Sequence, residues 1–210
     1  WGLMLTGKVV RLDKTIDGHP ANLLNRMINR LGEPVVRSAM NSAMKIMGKQ
    51  FVLGRTIEEA ISASHKAQSK GYSHSYDMLG EAALTADDAQ RYFNDYAHAI
   101  EAVGKEPSDH PGMRSSVSIK LSALHPRYQE ANRKRVMNEL FETVLRLLTR
   151  ARAFNVPLTI DAEEMDRLEL SLDLFSALYH SEANQGWGGL GIVVQAYAKR
   201  ALPVLAWLTA

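Results

Sequence analysis

Four segments rich in β-branched and aliphatic residues each carry one polar residue toward the C-terminal end. They are Asp77 in Ser75-Tyr-Asp-Met-Leu79, Lys120 in Ser116-Val-Ser-Ile-Lys-Leu-Ser122, Asp161 in Pro157-Leu-Thr-Ile-Asp-Ala-Glu-Glu164 and Gln195 in Gly191-Ile-Val-Val-Gln-Ala-Tyr197. Buried parallel strands read as nearly continuous apolar runs, and an unpaired polar group inside one costs several kcal/mol. These residues therefore need partners or a wet pocket. In parallel α/β folds the C-terminal strand ends surround the ligand site, so four matched positions point to one pocket. The alternative is that each residue caps the helix that follows, which suits Asp161 better than Lys120. A lysine beside an aspartate in such a pocket admits Schiff-base chemistry, with Lys120 attacking a carbonyl substrate and Asp161 shuttling protons.

The elements that must position these residues follow a repeating order. From Tyr72 onward a strand-then-helix unit occurs four times: strands at Tyr72–Leu79, Ser115–Leu121, Leu158–Ala162 and Leu190–Ala196. The first helix runs from Thr85 to Val103, with Thr85 and Asp88 as caps, Gly104 as stop, and Phe93, Tyr96, Ala97, Ile100 and Val103 inward. The second carries Val136, Leu140, Val144, Leu147, Leu148 and Ala151. The third carries Leu168, Leu172, Phe175 and Leu178, and the fourth is begun by Lys199–Thr209. Strands alternating with helices of this length predict a parallel sheet and the α/β class.

Residues 1–70 read differently, as a helical region ahead of the strand-bearing stretch 71–210. Helices are predicted over Ala21–Leu31 and Glu33–Met47, the latter placing Val36, Met40, Met44 and Met47 on one face, read as core packing in preference to an adaptable binding surface, and stopping at Gly48. Thr56-Ile-Glu-Glu59 predicts a capping box, and Gly71 supplies the permissive residue after the helix it opens.

Composition removes several function classes. The 210 residues include 25 Lys plus Arg against 23 Asp plus Glu, a balance of +2 that does not suit a dedicated nucleic-acid binder. Cysteine is absent, which excludes disulfides, thiolate metal sites and a Cys nucleophile. No apolar run reaches the roughly 18 residues of a membrane span and no signal peptide opens the chain, so a cytoplasmic location is expected. The chain starts at Trp1 and stops within an apolar helical run, which reads as a piece of something longer. Gly186, Gly188, Gly189 and Gly191 precede a strand, whereas a dinucleotide loop follows one. The seven His lack metal spacing, so no metal is expected; His74 and His125 lie near strand ends and could face the pocket. Arg133-Lys134-Arg135 reads as a solvated helix face.

Together with Ser118-Ile-Lys-Leu-Ser-Ala-Leu-His-Pro-Arg-Tyr128, these strand-end segments closely resemble the proline dehydrogenase domain of the bifunctional proline utilization A flavoproteins. Trp1-Gly-Leu-Met-Leu-Thr-Gly-Lys8 resembles that family's linker into its barrel. The resemblance implies a (β/α)8 TIM-type barrel, of which this chain carries the first four units, that oxidises L-proline to Δ1-pyrroline-5-carboxylate using FAD. Electrons would then pass to a membrane quinone. By motif, Lys120 would pair with the substrate carboxylate and Asp161 would be the catalytic aspartate. Ala162 would touch the flavin through its backbone, Gln195 would hydrogen-bond the flavin ring, and Asp77 would support the pocket. Expected partners are the remaining half of the barrel and an aldehyde dehydrogenase module, with peripheral membrane association in the full-length protein. The family's DNA-binding segment is expected to lie outside the chain, leaving no nucleic-acid contact through this segment. A non-catalytic association module is the remaining alternative. Alone, the half-barrel is expected to bind FAD weakly or not at all.

Overall fold

The computed structural model describes residues 37–48, 51–79, 82–107 and 114–210. The chain divides into two units, Trp1–Leu53 and Gly54–Ala210. In the first, residues 37–48 form a helix (α1), and the Val52 N–H donates to the Gly48 carbonyl at 2.7 Å just beyond it. Met40, Met44 and Met47 are exposed, which corrects the core assignment of this stripe. Helical spacing records that a face is apolar, not that something covers it. The helix expected at Ala21–Leu31, Val36 and the Trp1–Lys8 segment lie outside the described residues.

The second unit holds α2 (Ile57–Gln68), β1 (Ser75–Asp77), α3 (Ala86–Lys105), β2 (Ser116–Ile119), a single turn α4 (Leu121–Leu124), α5 (Arg133–Phe154), β3 (Leu158–Ile160), α6 (Leu168–Tyr179), β4 (Leu190–Ile192) and α7 (Ala201–Leu208). The four strands form one parallel sheet in the order β1-β2-β3-β4. This is the expected α/β arrangement. Among the described residues the sheet is open, with no pairing between β1 and β4. The compositional change at residue 70 does not coincide with the unit boundary, because α2 precedes it and packs on α3 within the second unit.

Helix ends follow local chemistry. The Thr85 hydroxyl accepts the Asp88 N–H while Asp88 Oδ2 accepts the Thr85 N–H at 3.0 Å, completing a capping box. At α2 only half the predicted box forms. The Thr56 hydroxyl accepts the Glu59 N–H, but Glu59 turns its carboxylate to the N–H and guanidinium of Arg55. An adjacent cation outcompetes a neutral amide for a carboxylate. Gly71, at φ 86°, provides the left-handed residue after α2. Gly104 is not a stop, since α3 continues to Lys105. A Cβ there would sit 2.6 Å from the Cβ of Phe154 on α5, so the glycine serves close helix packing.

The core is built from the predicted stripes with one shift. All six residues read inward on α5 are fully buried, as are Tyr96 and Ile100 on α3. On α6 the buried residues are Leu170, Leu174, Phe175 and Leu178, whereas Leu168 and Leu172 are half-buried and face a surface hollow. Arg133 and Arg135 lie in surface ion pairs, Arg133 with Glu130 and Asp173 and Arg135 with Glu139, as a solvated face requires.

Candidate active site

In the first three segments the chain leaves the sheet at the polar residue, and in the fourth it leaves earlier. Asp77 is the last residue of β1, Lys120 immediately follows β2 and Asp161 immediately follows β3. Ile119 pairs with Ile160, and the ladder runs one bond further, from the Asp161 N–H to the Ile119 carbonyl at 2.9 Å. That register sets Lys120 beside Asp161 on the same sheet end.

The Lys120 ammonium bridges both aspartates, 2.6 Å from Asp77 Oδ1 and 3.0 Å from Asp161 Oδ2. The Lys120 and Asp161 side chains are 22% and 25% exposed, so the cluster is partly shielded yet open to solvent on one side. Asp161 divides its oxygens: Oδ2 meets Lys120, and Oδ1 accepts the Ala162 N–H at 2.9 Å. It does not cap a helix, since the 3-10 turn Met165–Arg167 opens at Glu164 and α6 follows. Gln195 stands three residues past β4 and donates from Nε2 to the Glu163 carbonyl at 3.2 Å.

A hollow of ≈ 710 Å³ opens over these strand ends, bordered by Lys120, Ala162, Gln195, His125, Tyr128 and Arg167. The structure thus brings Asp77, Lys120 and Asp161 into direct contact and sets Ala162 and Gln195 on the same hollow. His125 is buried with both nitrogens engaged: Nδ1 accepts the Arg127 N–H, which leaves Nε2–H to face Glu139 at 3.1 Å. His74 is at the other end of the sheet. It precedes the first residue of β1 and stacks on Tyr76, so the reading that it could face the pocket is corrected.

Two residues at the site escape a strand-by-strand reading. The Tyr96 hydroxyl, from the buried face of α3, accepts the Lys120 N–H at 3.0 Å. Its spacing marks it as core, and nothing in the sequence shows that its hydroxyl reaches β2. Glu163 accepts the Ser122 N–H at Oε1 (3.0 Å) and pairs through Oε2 with Arg167 Nη1 (3.1 Å). The only hint is a second carboxylate two residues after Asp161. Arg167 also lies over the Tyr128 ring, 5.5 Å from its centroid. Burial, and secondarily the Glu163 charge, pushes the Tyr128 phenol above its ordinary range, so it stays a neutral hydroxyl.

Among the described residues no helix is long and apolar enough to cross a membrane. The family model described as "Proline dehydrogenase" matches residues 60–210, and one described as "DNA-binding domain of Proline dehydrogenase" matches residues 1–51. The second match corrects the expectation that no part of such a segment lies in the chain. The Bifunctional protein PutA of Escherichia coli (strain K12) is 47% identical over 99% of this chain, which covers 16% of that protein. The protein of the same name from Rhizobium meliloti is 48% identical, again over 99% of this chain and 16% of its own length. A crystal structure of a Bradyrhizobium japonicum proline utilization A (PutA) mutant superposes with a TM-score of 0.69 at 45% identity, covering 93% of this chain and 20% of that one. This chain therefore spans about a sixth of the length of these two relatives. With its parallel strands and its polar residues gathered at their C-terminal ends, the chain belongs to the proline dehydrogenase family.

Proposed function

We propose that this chain carries one half of a site that oxidises L-proline to Δ1-pyrroline-5-carboxylate. The observation that carries the reading is the Asp77–Lys120–Asp161 bridge at the strand ends of a proline dehydrogenase family member. A small zwitterionic amino acid needs a cation for its carboxylate and an anion for its ammonium, and Lys120 and Asp161 offer both 3.0 Å apart. Lys120, a compact point charge, holds the substrate carboxylate. Asp161 receives the ring nitrogen and keeps the carbon beside it at the reacting position. Asp77 holds the Lys120 ammonium in place from the side away from Asp161. A Schiff base needs Nζ turned toward a carbonyl, whereas here two carboxylates engage it, which speaks against the Schiff-base reading.

The residues also fit a flavin. The hollow combines an amide at Gln195, the backbone at Ala162 and aromatic rings at Tyr128 and Tyr197, the mixture a flat ring with a polar edge requires. Gln195 and Ala162 would hold FAD, which when bound supplies the two-electron acceptor for the oxidation. In this reading residues 71–210 are the first half of a (β/α)8 barrel. The open edge of β4 receives the remaining strands. An aldehyde dehydrogenase module, a membrane quinone as final acceptor and a cytoplasmic protein with peripheral membrane association complete the proposal.

The test is the visible spectrum of the full-length protein with L-proline under anaerobic conditions. Bleaching of a bound flavin is expected; a flavin spectrum unmoved by proline overturns the reading.

A further inference from the structure

The loops that follow the four strands are joined to one another by three hydrogen bonds. After β1, the Ala83 N–H donates to the Ser122 carbonyl at 3.0 Å. After β2, the Ser122 N–H donates to Glu163 Oε1 at 3.0 Å. After β4, Gln195 Nε2 donates to the Glu163 carbonyl at 3.2 Å. Glu163 makes two of these links, one with its side chain and one with its main chain. We infer that Glu163 is a positioning residue, a tie between loops that sets Lys120, Asp161 and Gln195 at their mutual distances.

The arrangement suits that task. Lys120 begins the single turn α4 without a side-chain cap of its own, so its first turn presents an N–H that needs an acceptor from elsewhere. Glu163 supplies it across the strand boundary, two residues after Asp161 on one side and two residues after Lys120 on the other. The Glu163 side chain is 10% exposed, and the Arg167 guanidinium at 3.1 Å compensates its charge. Arg167 is in turn held by Glu164 and by the Tyr128 ring, so the carboxylate is braced on both oxygens. A carbonyl can only accept, so the Glu163 carbonyl also fixes which end of the Gln195 amide is NH2 and leaves Oε1 as an acceptor.

This inference rests on the proline-oxidising reading, and the experiment separates the two. Glu163→Ala, Glu163→Gln and Glu163→Asp are made in the full-length protein. Two quantities are measured: kcat/KM for proline, and the rate of reductive methylation at Lys120, followed by peptide mass spectrometry without proline. Glu163→Ala is expected to lower kcat/KM by about tenfold or more, since small misplacements of reacting groups are costly, and to raise Lys120 methylation severalfold. Glu163→Gln, whose amide oxygen still reaches Ser122, recovers most of both. Glu163→Asp, one methylene short, does not, and this pair decides the matter should the alanine variant fail to fold. Unchanged Lys120 methylation in Glu163→Ala, or Gln and Asp variants that behave alike, overturns the inference. Failure of the wild-type protein to oxidise proline overturns the functional reading instead, and leaves the methylation comparison intact.

Discussion

Lys120 Nζ and Asp161 Oδ2 meet 3.0 Å apart because their strands run parallel in the register that pairs Ile119 with Ile160. A shift of that ladder by one residue would turn one of the two side chains to the opposite face of the sheet and part the pair. The contact is therefore a property of the sheet before it is a property of the site.

Removing the cation from this contact tests its task. Under the proposed assignment, Lys120→Ala in the full-length protein leaves Asp77 and Asp161 facing the substrate carboxylate without the Lys120 charge. The expected result is a KM for proline raised by about tenfold or more with a smaller change in kcat, the pattern of a lost ground-state contact. Steady-state kinetics decide; an unchanged KM removes the carboxylate-binding role.

Asp161→Ala acts on the other partner. It deletes the proposed acceptor for the substrate nitrogen and frees the Ala162 N–H that Oδ1 holds. Turnover should fall by about a hundredfold, within the range such positioned groups contribute. Single-turnover reduction of the flavin by proline measures it directly, and an unaltered rate withdraws the assignment of Asp161 as catalytic.

Gln195→Ala removes an amide anchored on the Glu163 carbonyl. The full-length variant should retain flavin less well or show a shifted reduction potential. An unchanged flavin content together with an unchanged potential excludes that role.

The capping box of α3 makes stability depend on acid. Hydrogen bonding from the Thr85 hydroxyl leads the causes that hold the Asp88 carboxyl below its ordinary value. Its folded-state pKa lies below the unfolded one, so its stabilisation is complete above the ordinary carboxylate range near pH 4 and disappears as pH falls through the lowered value. Asp88→Asn should therefore unfold more easily than wild type at pH 6, with the gap closing toward pH 2.5. Urea midpoints across that range provide the check, and a gap independent of pH contradicts the linkage.

Gly104→Ala sets two effects against each other. Alanine in a helix interior gains roughly 1 kcal/mol over glycine. The new Cβ, however, would lie 2.6 Å from the Cβ of Phe154, and overpacking costs about 1–3 kcal/mol. The clash wins, so the variant should be less stable by about 1 kcal/mol in chemical unfolding; a gain in stability would show that α3 and α5 can separate.

Much of this site is legible in the chain because parallel strands leave so little room for polarity. Asp77, Lys120, Asp161 and Gln195 stand out against apolar runs, and the sheet sets the first three in contact. The α5 stripe is equally legible, since every residue at its helical spacing is buried. What periodicity does not carry is cross-element contact. Leu168 and Leu172 have the spacing of core residues but border a hollow. Gly104 looks like a helix stop until Phe154 is placed against it. Nothing in its spacing singles out Glu163, and only the folded chain shows Ser122 and Gln195 converging on it.

The hydrogen bond from the Lys120 amide to the Tyr96 hydroxyl ties the exchange of this proton to helix α3. Elsewhere in the sheet an amide proton is retained by the neighbouring strand. At Lys120 it is retained by a phenol carried on a helix. Its exchange with deuterium therefore clocks the undocking of α3 rather than the melting of the sheet. One proton beside the candidate site thus serves as a reporter for how firmly α3 is seated.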